Sequence, residues 1–137
     1  MTTSQGKQAD RSGGRIALLM IFEAATLAVV ASLHLGGVLS GAKPFRPTAA
    51  GVAEAIIGVA LAGGAAALLR KSGHARDIAV ATTLFAIAGF VLGLTFTVRG
   101  GGAIDVVYHV VMLPLLLLTL IVLLRMRDVS SAAAPSD

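Results

Sequence analysis

Four long runs of apolar residues, separated by short polar stretches, constrain this chain more than any other feature. The third run, residues 78–98, contains no charged residue. A helix rises about 1.5 Å per residue, so a run of this length spans the hydrocarbon core of a bilayer, which is about 30 Å thick. The other runs cover residues 16–39, 49–69 and 104–124. This pattern predicts an integral membrane protein with four transmembrane helices.

The composition agrees with a membrane protein and excludes several classes of function. Hydrophobic residues make up 56% of the 137 residues and charged residues 13%, whereas soluble domains average about 45–50% and about 25%. The chain contains no cysteine, which excludes disulfides, cysteine metal sites and thiol–disulfide chemistry. The net charge is +4, but the basic residues stand at the ends of the apolar runs, where they anchor helices to lipid headgroups. We therefore expect a lipid bilayer as partner and no nucleic acid.

The polar segments divide the chain into a membrane domain and two tails. We predict a disordered cytoplasmic tail at residues 1–14, a four-helix transmembrane domain at residues 15–127 and a second disordered tail at residues 128–137. The apolar core of a signal peptide is about 7–15 residues long. The first run is longer and contains Glu23 and His34, so we expect it to be retained as a helix.

The distribution of lysine and arginine predicts an orientation. If the N-terminus lies in the cytoplasm, eight of the 11 Lys and Arg residues fall in cytoplasmic segments and three in outer loops. Basic residues concentrate on the cytoplasmic side of a bilayer. Short connections also make consecutive helices antiparallel neighbours. We therefore predict an all-α, up-down four-helix bundle in the bacterial inner (cytoplasmic) membrane, with both termini inside the cell.

Small residues recur on one face of the second and third runs, at steps of three and four. Gly58 belongs to this stripe in the second run, and Gly89 and Gly93 belong to it in the third. Lipid is as apolar as leucine, so membrane helices associate through close packing of small residues and through polar contacts. We therefore predict these glycines at helix–helix contacts.

Three ionisable residues on different runs stand at the same depth. His34, Glu54 and His109 each lie about five residues inside the outer end of a run, which is roughly 7–8 Å below the boundary. Ionisable groups in hydrocarbon cost roughly 2.5–3.5 kcal/mol each, so they tend to face inward, to be paired and to be functional. We interpret the three as one cluster near the periplasmic face.

This cluster allows several interpretations. The structural one is a set of hydrogen bonds that holds the bundle together. The functional ones are a small-molecule or lipid pocket open to the periplasm, a zinc, copper or non-haem iron site, or a haem with His34 and His109 as axial ligands. The cofactor therefore stays open between none, a transition metal and haem. Supporting residues lie at or near the same level, namely Asp105, Tyr108, Thr97 and Arg99.

Glu23 stands apart, near the middle of the first run. As a proton carrier, it would make the chain a small proton-coupled transporter in the manner of four-helix multidrug exporters, which depend on a first-helix carboxylate. The sequence lacks the aromatic binding residues of those exporters, because it has one Tyr, no Trp and five Phe. The structural alternative is a hydrogen bond from Glu23 to Thr82 or Thr83.

The second run also carries a family resemblance. The segment from Ala53 to Gly64, with Glu54 and Gly58 in a Glu-x-x-x-Gly pattern, resembles the corresponding helix of DoxX-like proteins. These are small four-helix bacterial inner-membrane proteins, and some are linked to membrane redox complexes and quinone reduction. The D-x-x-Y-H segment that ends at His109 is similar to one in uncharacterised four-helix proteins of actinobacteria.

Our leading hypothesis is an accessory protein without enzymatic activity of its own. It would be a subunit of a membrane redox or envelope complex, with another membrane protein or a second copy of the chain as its partner. The sequence contains no catalytic motif that we recognise. The rival hypotheses are a metal- or haem-binding protein that uses His34, Glu54 and His109, and a proton-coupled transporter that uses Glu23.

Overall fold

Four α-helices form the fold in the computed structural model, which describes the backbone of residues 3–126 and the side chains of residues 13–126. No β-strand occurs within those residues. Every helix contains a span long and apolar enough to cross a membrane, so the prediction of an all-α, four-helix membrane protein is confirmed. The helices are α1 (Thr3–Leu35), α2 (Pro47–Leu69), α3 (Ala75–Gly100) and α4 (Ala103–Arg125).

The helices pack in a ring that follows their order along the chain. Contacts join α1 to α2, α2 to α3, α3 to α4 and α4 back to α1, whereas the two diagonal pairs make no close backbone contact within residues 3–126. The α4–α1 contact is the least extensive. The connections cover only residues 36–46, 70–74 and 101–102, which makes consecutive helices antiparallel. The arrangement is the up-down bundle that the short loops predict.

Large apolar side chains cover the outside of the bundle. Val59, Ile104 and Val111 are 74%, 70% and 61% exposed, whereas Leu61 and Leu116 are completely buried. In water, an apolar surface of this extent would drive association. In a bilayer this surface contacts lipid tails, which are equally apolar, so the distribution of exposed apolar residues supports a multi-pass membrane protein.

Helix α1 ends at Leu35, four residues before the predicted end at position 39. Gly37 adopts a positive φ of 74°. The N–H of Val38 donates to the carbonyl of Leu33, and the N–H of Gly37 donates to the carbonyl of His34. These two hydrogen bonds form a Schellman motif, in which a left-handed residue terminates the helix. Hydropathy did not reveal this end, because the residues beyond it are still mostly apolar.

Helix α1 also begins earlier than predicted. It starts at Thr3, so residues 3–14 are helical where the sequence predicts a disordered tail. A glycine in a helix costs about 1 kcal/mol, and the pair at positions 13–14 is too weak to end a helix already nucleated by the membrane span. The bounds of the other helices lie within three residues of the predicted ones. The second predicted tail lies outside the described residues.

The α1–α2 loop folds back over one end of the bundle. The N–H of Ala42 donates to the carbonyl of Gly100 at 2.8 Å, and the N–H of Phe45 donates to the carbonyl of Ala42 at 3.0 Å. Phe45 is 5% exposed, and the centre of its ring lies 5.7 Å from that of the His34 imidazole. The loop therefore shields the end of the bundle that holds the polar cluster.

Candidate functional site

A buried hydrogen bond joins His34 of α1 to Glu54 of α2. Nδ1 of His34 lies 2.8 Å from Oε2 of Glu54, and the two residues are 2% and 5% exposed. Gly51 permits this close approach, because a Cβ at that position would lie 3.0 Å from the Cβ of His34. The structure therefore brings together two of the three residues that the sequence places at one depth.

Asp105 of α4 approaches the other edge of the same imidazole. Its Oδ1 lies 3.1 Å from Nε2 of His34, although without hydrogen-bond geometry, and neither atom has a hydrogen-bond partner among the described residues. Its Oδ2 accepts the N–H of Gly102 at 3.3 Å, at the N-terminus of α4, where the helix dipole favours a negative charge. Asp105 therefore both caps α4 and faces His34.

His109 joins this group through the backbone. Its Nδ1 lies 2.8 Å from the carbonyl oxygen of Asp105. A carbonyl can only accept, so Nδ1 carries a proton and Nε2 of the neutral ring is an acceptor. Nε2 makes no hydrogen bond within the described residues. It lies beside Gly93 of α3, where a Cβ would come within 2.8 Å of it. No hydrogen bond or ion pair links the side chain of His109 to that of His34 or Glu54 in this part of the chain.

The predicted supporting residues have different surroundings. Thr97 is 2% exposed, and its hydroxyl donates to the carbonyl of Gly93 at 2.9 Å. The hydroxyl of Tyr108 lies 3.3 Å from Oγ1 of Thr26 on α1. Arg99 is exposed and forms no hydrogen bond or ion pair with the described residues. Thr97 is therefore buried and bonded within α3, Tyr108 joins α4 to α1, and Arg99 lies at the surface.

Glu23 is fully buried and bonds to α4. The hydroxyl of Thr119 donates to its Oε1 at 2.7 Å, while its Oε2 has no donor among the described residues. The predicted partners were wrong, since Thr82 and Thr83 both donate to the carbonyl of Ala79. The reason is the ring order of the helices. Helix α3 lies diagonally opposite α1, whereas α4 is its neighbour.

The predicted packing glycines contact three different helices. Gly58 faces α1, because its Cβ would lie 3.4 Å from the Cβ of Leu27. Gly89 faces α2, because its Cβ would lie 2.5 Å from Cδ1 of Ile57, and Gly93 faces His109 of α4. The Gly89–Gly93 pair therefore does not form one close helix crossing. Instead, each glycine leaves room for a bulky side chain of a different neighbour, Ile57 of α2 at Gly89 and His109 of α4 at Gly93.

A cavity of about 540 Å³ lies between α2 and α3, beside the cluster. Its walls are mainly apolar, and its polar lining residues are Arg46, Glu54, Thr97 and His109. These four belong to the end of the bundle that the α1–α2 loop covers, whereas Phe85 lines the deeper part. Three lining residues, Ile56, Phe85 and Phe96, are 55%, 49% and 46% exposed. The cavity therefore opens on the outer surface of the bundle, where lipid would lie.

The arrangement does not fit the predicted metal or haem site. Within residues 13–126, no group of three His, Cys, Asp or Glu side chains could hold a metal ion. Both ring nitrogens of His34 face carboxylates, and Nδ1 of His109 is bonded to a carbonyl. A metal or haem ligand must offer an accessible lone pair, and Oδ1 of Asp105 stands 3.1 Å in front of Nε2 of His34. Among the described His34 and His109 nitrogens, only Nε2 of His109 is accessible, and one nitrogen does not hold a metal or haem.

The sequence reasoning missed three residues that shape this region. Thr119 bonds to Glu23, Phe45 lies over His34, and Arg46 lines the cavity. A depth comparison would have found Thr119, because it is the one polar residue among the apolar residues 113–124 and stands near the middle of the membrane, as Glu23 does. No sequence signal marks Phe45 or Arg46, since their positions follow from how the loop folds.

Comparisons with known proteins do not place the chain in a family. No protein-family model matches it, and it has no match among curated proteins or solved structures.

Proposed function

We propose that this protein binds an amphipathic small molecule in the cavity between α2 and α3. The protein would lie in a bacterial inner membrane with both termini in the cytoplasm. The polar end of the ligand would rest against Glu54 and His109, near the periplasmic face. Its apolar part would extend along Phe85 and Phe96 towards the lipid.

The observation that carries this proposal is an apolar cavity that ends on buried polar groups. Small-molecule sites are typically concave, about 300–1,000 Å³ in volume and lined mainly by apolar side chains with a few polar groups. The cavity between α2 and α3 has about 540 Å³ and four polar lining residues. Two of these, Glu54 and His109, are only 5% and 7% exposed.

The cluster behind the cavity has a positioning role in this proposal. The hydrogen bond from His34 holds Glu54, and the carbonyl of Asp105 holds the ring of His109. Preorganised side chains lower the cost of binding, because fewer rotamers are lost when the ligand arrives. We therefore assign His34 and Asp105 to the support of the site and Glu54 and His109 to contact with the ligand.

A cavity-filling variant tests the proposal. Ala53 lines the cavity, so Ala53→Phe should occupy it. Val59 is 74% exposed on the same helix, and Val59→Phe is the matched control that adds a ring on the lipid side. We would purify the wild type and both variants in one detergent, extract them with solvent and quantify the bound amphiphiles by mass spectrometry.

We expect a stoichiometric amphiphile in the wild type and in Val59→Phe, and its loss from Ala53→Phe. If no amphiphile accompanies the wild type in stoichiometric amount, the proposal fails. It also fails if Ala53→Phe retains the same molecule at the same level. Folding of each variant is checked by circular dichroism and by size-exclusion chromatography.

The accessory role in a redox or envelope complex stays a prediction that is compatible with ligand binding. Its test is chemical crosslinking in native membranes, and the absence of any crosslinked partner protein would count against it. The transporter hypothesis loses support, because Glu23 is fully enclosed and bonded to Thr119. Proton-coupled uptake that disappears in Glu23→Gln would revive it.

A further inference from the structure

The buried side chains at the polar end of the α2–α3 cavity present acceptors without free donors. Oε2 of Glu54 receives the hydrogen bond of His34, and Oε1 has no partner among the described residues. Nε2 of His109 is likewise unpaired there. The hydroxyl hydrogen of Thr97 is already donated to the carbonyl of Gly93. A molecule that reaches this end therefore meets two accessible acceptor atoms, a carboxylate oxygen of Glu54 and the unprotonated ring nitrogen of His109.

This arrangement selects against ligand heads that only accept. An ester, ether or ketone would leave both acceptors unpaired once the ligand excludes water from them, which is unfavourable. A phosphate or carboxylate head placed at these two atoms would also be repelled by Glu54 and by Asp105 behind it. A head with an O–H group satisfies one acceptor directly, and a head with two such groups satisfies both.

The charge beside the polar end argues for a neutral head. Arg46 lines the cavity and is exposed, and its guanidinium forms no ion pair with the described residues. An ammonium head at Glu54 would lie at the same end of the cavity as this cation. An uncharged hydroxyl meets no electrostatic barrier at the apolar opening or beside Arg46.

We infer that the ligand of this cavity is an uncharged amphiphile with a hydroxyl head, an alcohol or a phenol, that donates to His109 Nε2 and, where it carries a second hydroxyl, also to Glu54 Oε1. This inference rests on the proposed function and specifies its ligand class. The apolar part of the ligand occupies the wall formed by Phe85 and Phe96 and continues into the bilayer.

A matched set of probes tests the inference without any mutation. 4-Octylphenol carries one O–H group. In 4-octylanisole a methyl ether replaces this group, and in 4-octylbenzylamine an aminomethyl group replaces it, which is a cationic ammonium at neutral pH. Binding to the wild-type protein would be titrated by native mass spectrometry after release from detergent micelles. We expect 4-octylphenol to bind about tenfold more tightly than 4-octylanisole, the effect of one buried hydrogen bond.

A variant then locates the acceptor. His109→Phe keeps an aromatic ring and removes Nε2, and the phenol–anisole difference should fall to about threefold or less, because the single hydroxyl of the phenol loses its acceptor. His74→Phe is the control, because His74 is exposed in the α2–α3 turn. It should keep the full difference.

The outcomes separate this inference from the proposed function. If phenol and anisole bind the wild type equally, the hydroxyl assignment is overturned while an amphiphile site remains. Tighter binding of the benzylamine than of the phenol would likewise overturn the uncharged head. If none of the three probes binds the wild type, or if Ala53→Phe binds them unchanged, the cavity itself is not a binding site and the proposed function fails.

Discussion

At the scale of single residues, His34 has the most demanding environment in the described part of the chain. Its two ring nitrogens lie 2.8 Å and 3.1 Å from carboxylate oxygens of Glu54 and Asp105. A neutral imidazole has one N–H and can donate to only one of them, so donation to both requires the imidazolium form. Either way, the ring separates two buried carboxylates that would otherwise face each other across an apolar interior.

Replacing His34 should therefore destabilise the bundle strongly. We expect His34→Ala to lower the free energy of unfolding by about 3 kcal/mol, because it leaves the buried carboxyl group of Glu54 without its hydrogen-bond partner. His74→Ala, in an exposed turn, is the control and should be neutral. Reversible unfolding in mixed detergent micelles, followed by circular dichroism, measures both. Equal stabilities of the two variants would contradict the pairing.

At the scale of helices, the two contacts of α1 differ in how closely the backbones approach. In its contact with α2, Gly51 and Gly58 let the backbones come close, and the His34–Glu54 hydrogen bond forms beside Gly51. Its contact with α4 is less extensive and is bridged by side chains. Thr119 bonds to Glu23, and Tyr108 approaches Thr26. Long polar side chains can span a gap that small residues would leave empty, so the α4–α1 contact closes the ring at a larger separation.

The two glycines of α2 that face α1 should respond differently to the same substitution. A Cβ at Gly51 would lie 2.9 Å from Cγ of Leu35 and 3.0 Å from the carbonyl oxygen of Ala31. We therefore expect Gly51→Ala to cost about 1–3 kcal/mol through overpacking. A Cβ at Gly58 would meet its nearest neighbours at 3.4 Å, so Gly58→Ala should be neutral or stabilising by up to about 1 kcal/mol.

The same detergent unfolding experiment measures both glycine variants. Each is a Gly→Ala change on one face of one helix, so helix propensity cancels in the comparison and only the space at α1 differs. A Gly58→Ala variant as unstable as Gly51→Ala would show that a Cβ at Gly58 lies closer to α1 than 3.4 Å.

At the scale of the whole molecule, buried polar groups are concentrated at one end. His34, Glu54, Asp105 and His109 lie beneath the α1–α2 loop and beside the cavity. The opposite end contains Arg76, which donates to the carbonyls of Leu123 and Leu124 at the end of α4. The bundle is therefore polarised along its axis, and the orientation of the chain determines which compartment the cavity faces.

The orientation can be tested with single cysteines, because the chain has none of its own. Lys43→Cys places a thiol in the exposed α1–α2 loop, and Ser72→Cys places one in the exposed α2–α3 turn. We expect a membrane-impermeant maleimide to label position 43 in intact spheroplasts and position 72 only after permeabilisation, since the basic residues favour a cytoplasmic turn. The reverse labelling pattern would place the cluster at the cytoplasmic face.

The sequence alone determined the four spans and the depth of the ionisable residues. Hydropathy is a local property, so the apolar runs predicted α2, α3 and α4 to within three residues. Depth in the membrane follows from the position of a residue along its helix. It predicted that His34 and Glu54 lie at one level, which agrees with the 2.8 Å contact between them. The end of α1 escaped this reasoning, because it depends on the left-handed conformation of Gly37 and not on polarity.

Only the tertiary structure decided which side chains meet. Each residue turns a helix by about 100°, so a small error in helix rotation changes the neighbour that a side chain reaches. The ring order gave Glu23 the partner Thr119 instead of Thr82 or Thr83. It also put Asp105, and not His109, beside His34. The cavity is a property of the gap between α2 and α3, where Gly89 and Gly93 carry no side chain, and a gap between helices has no signature along a single chain.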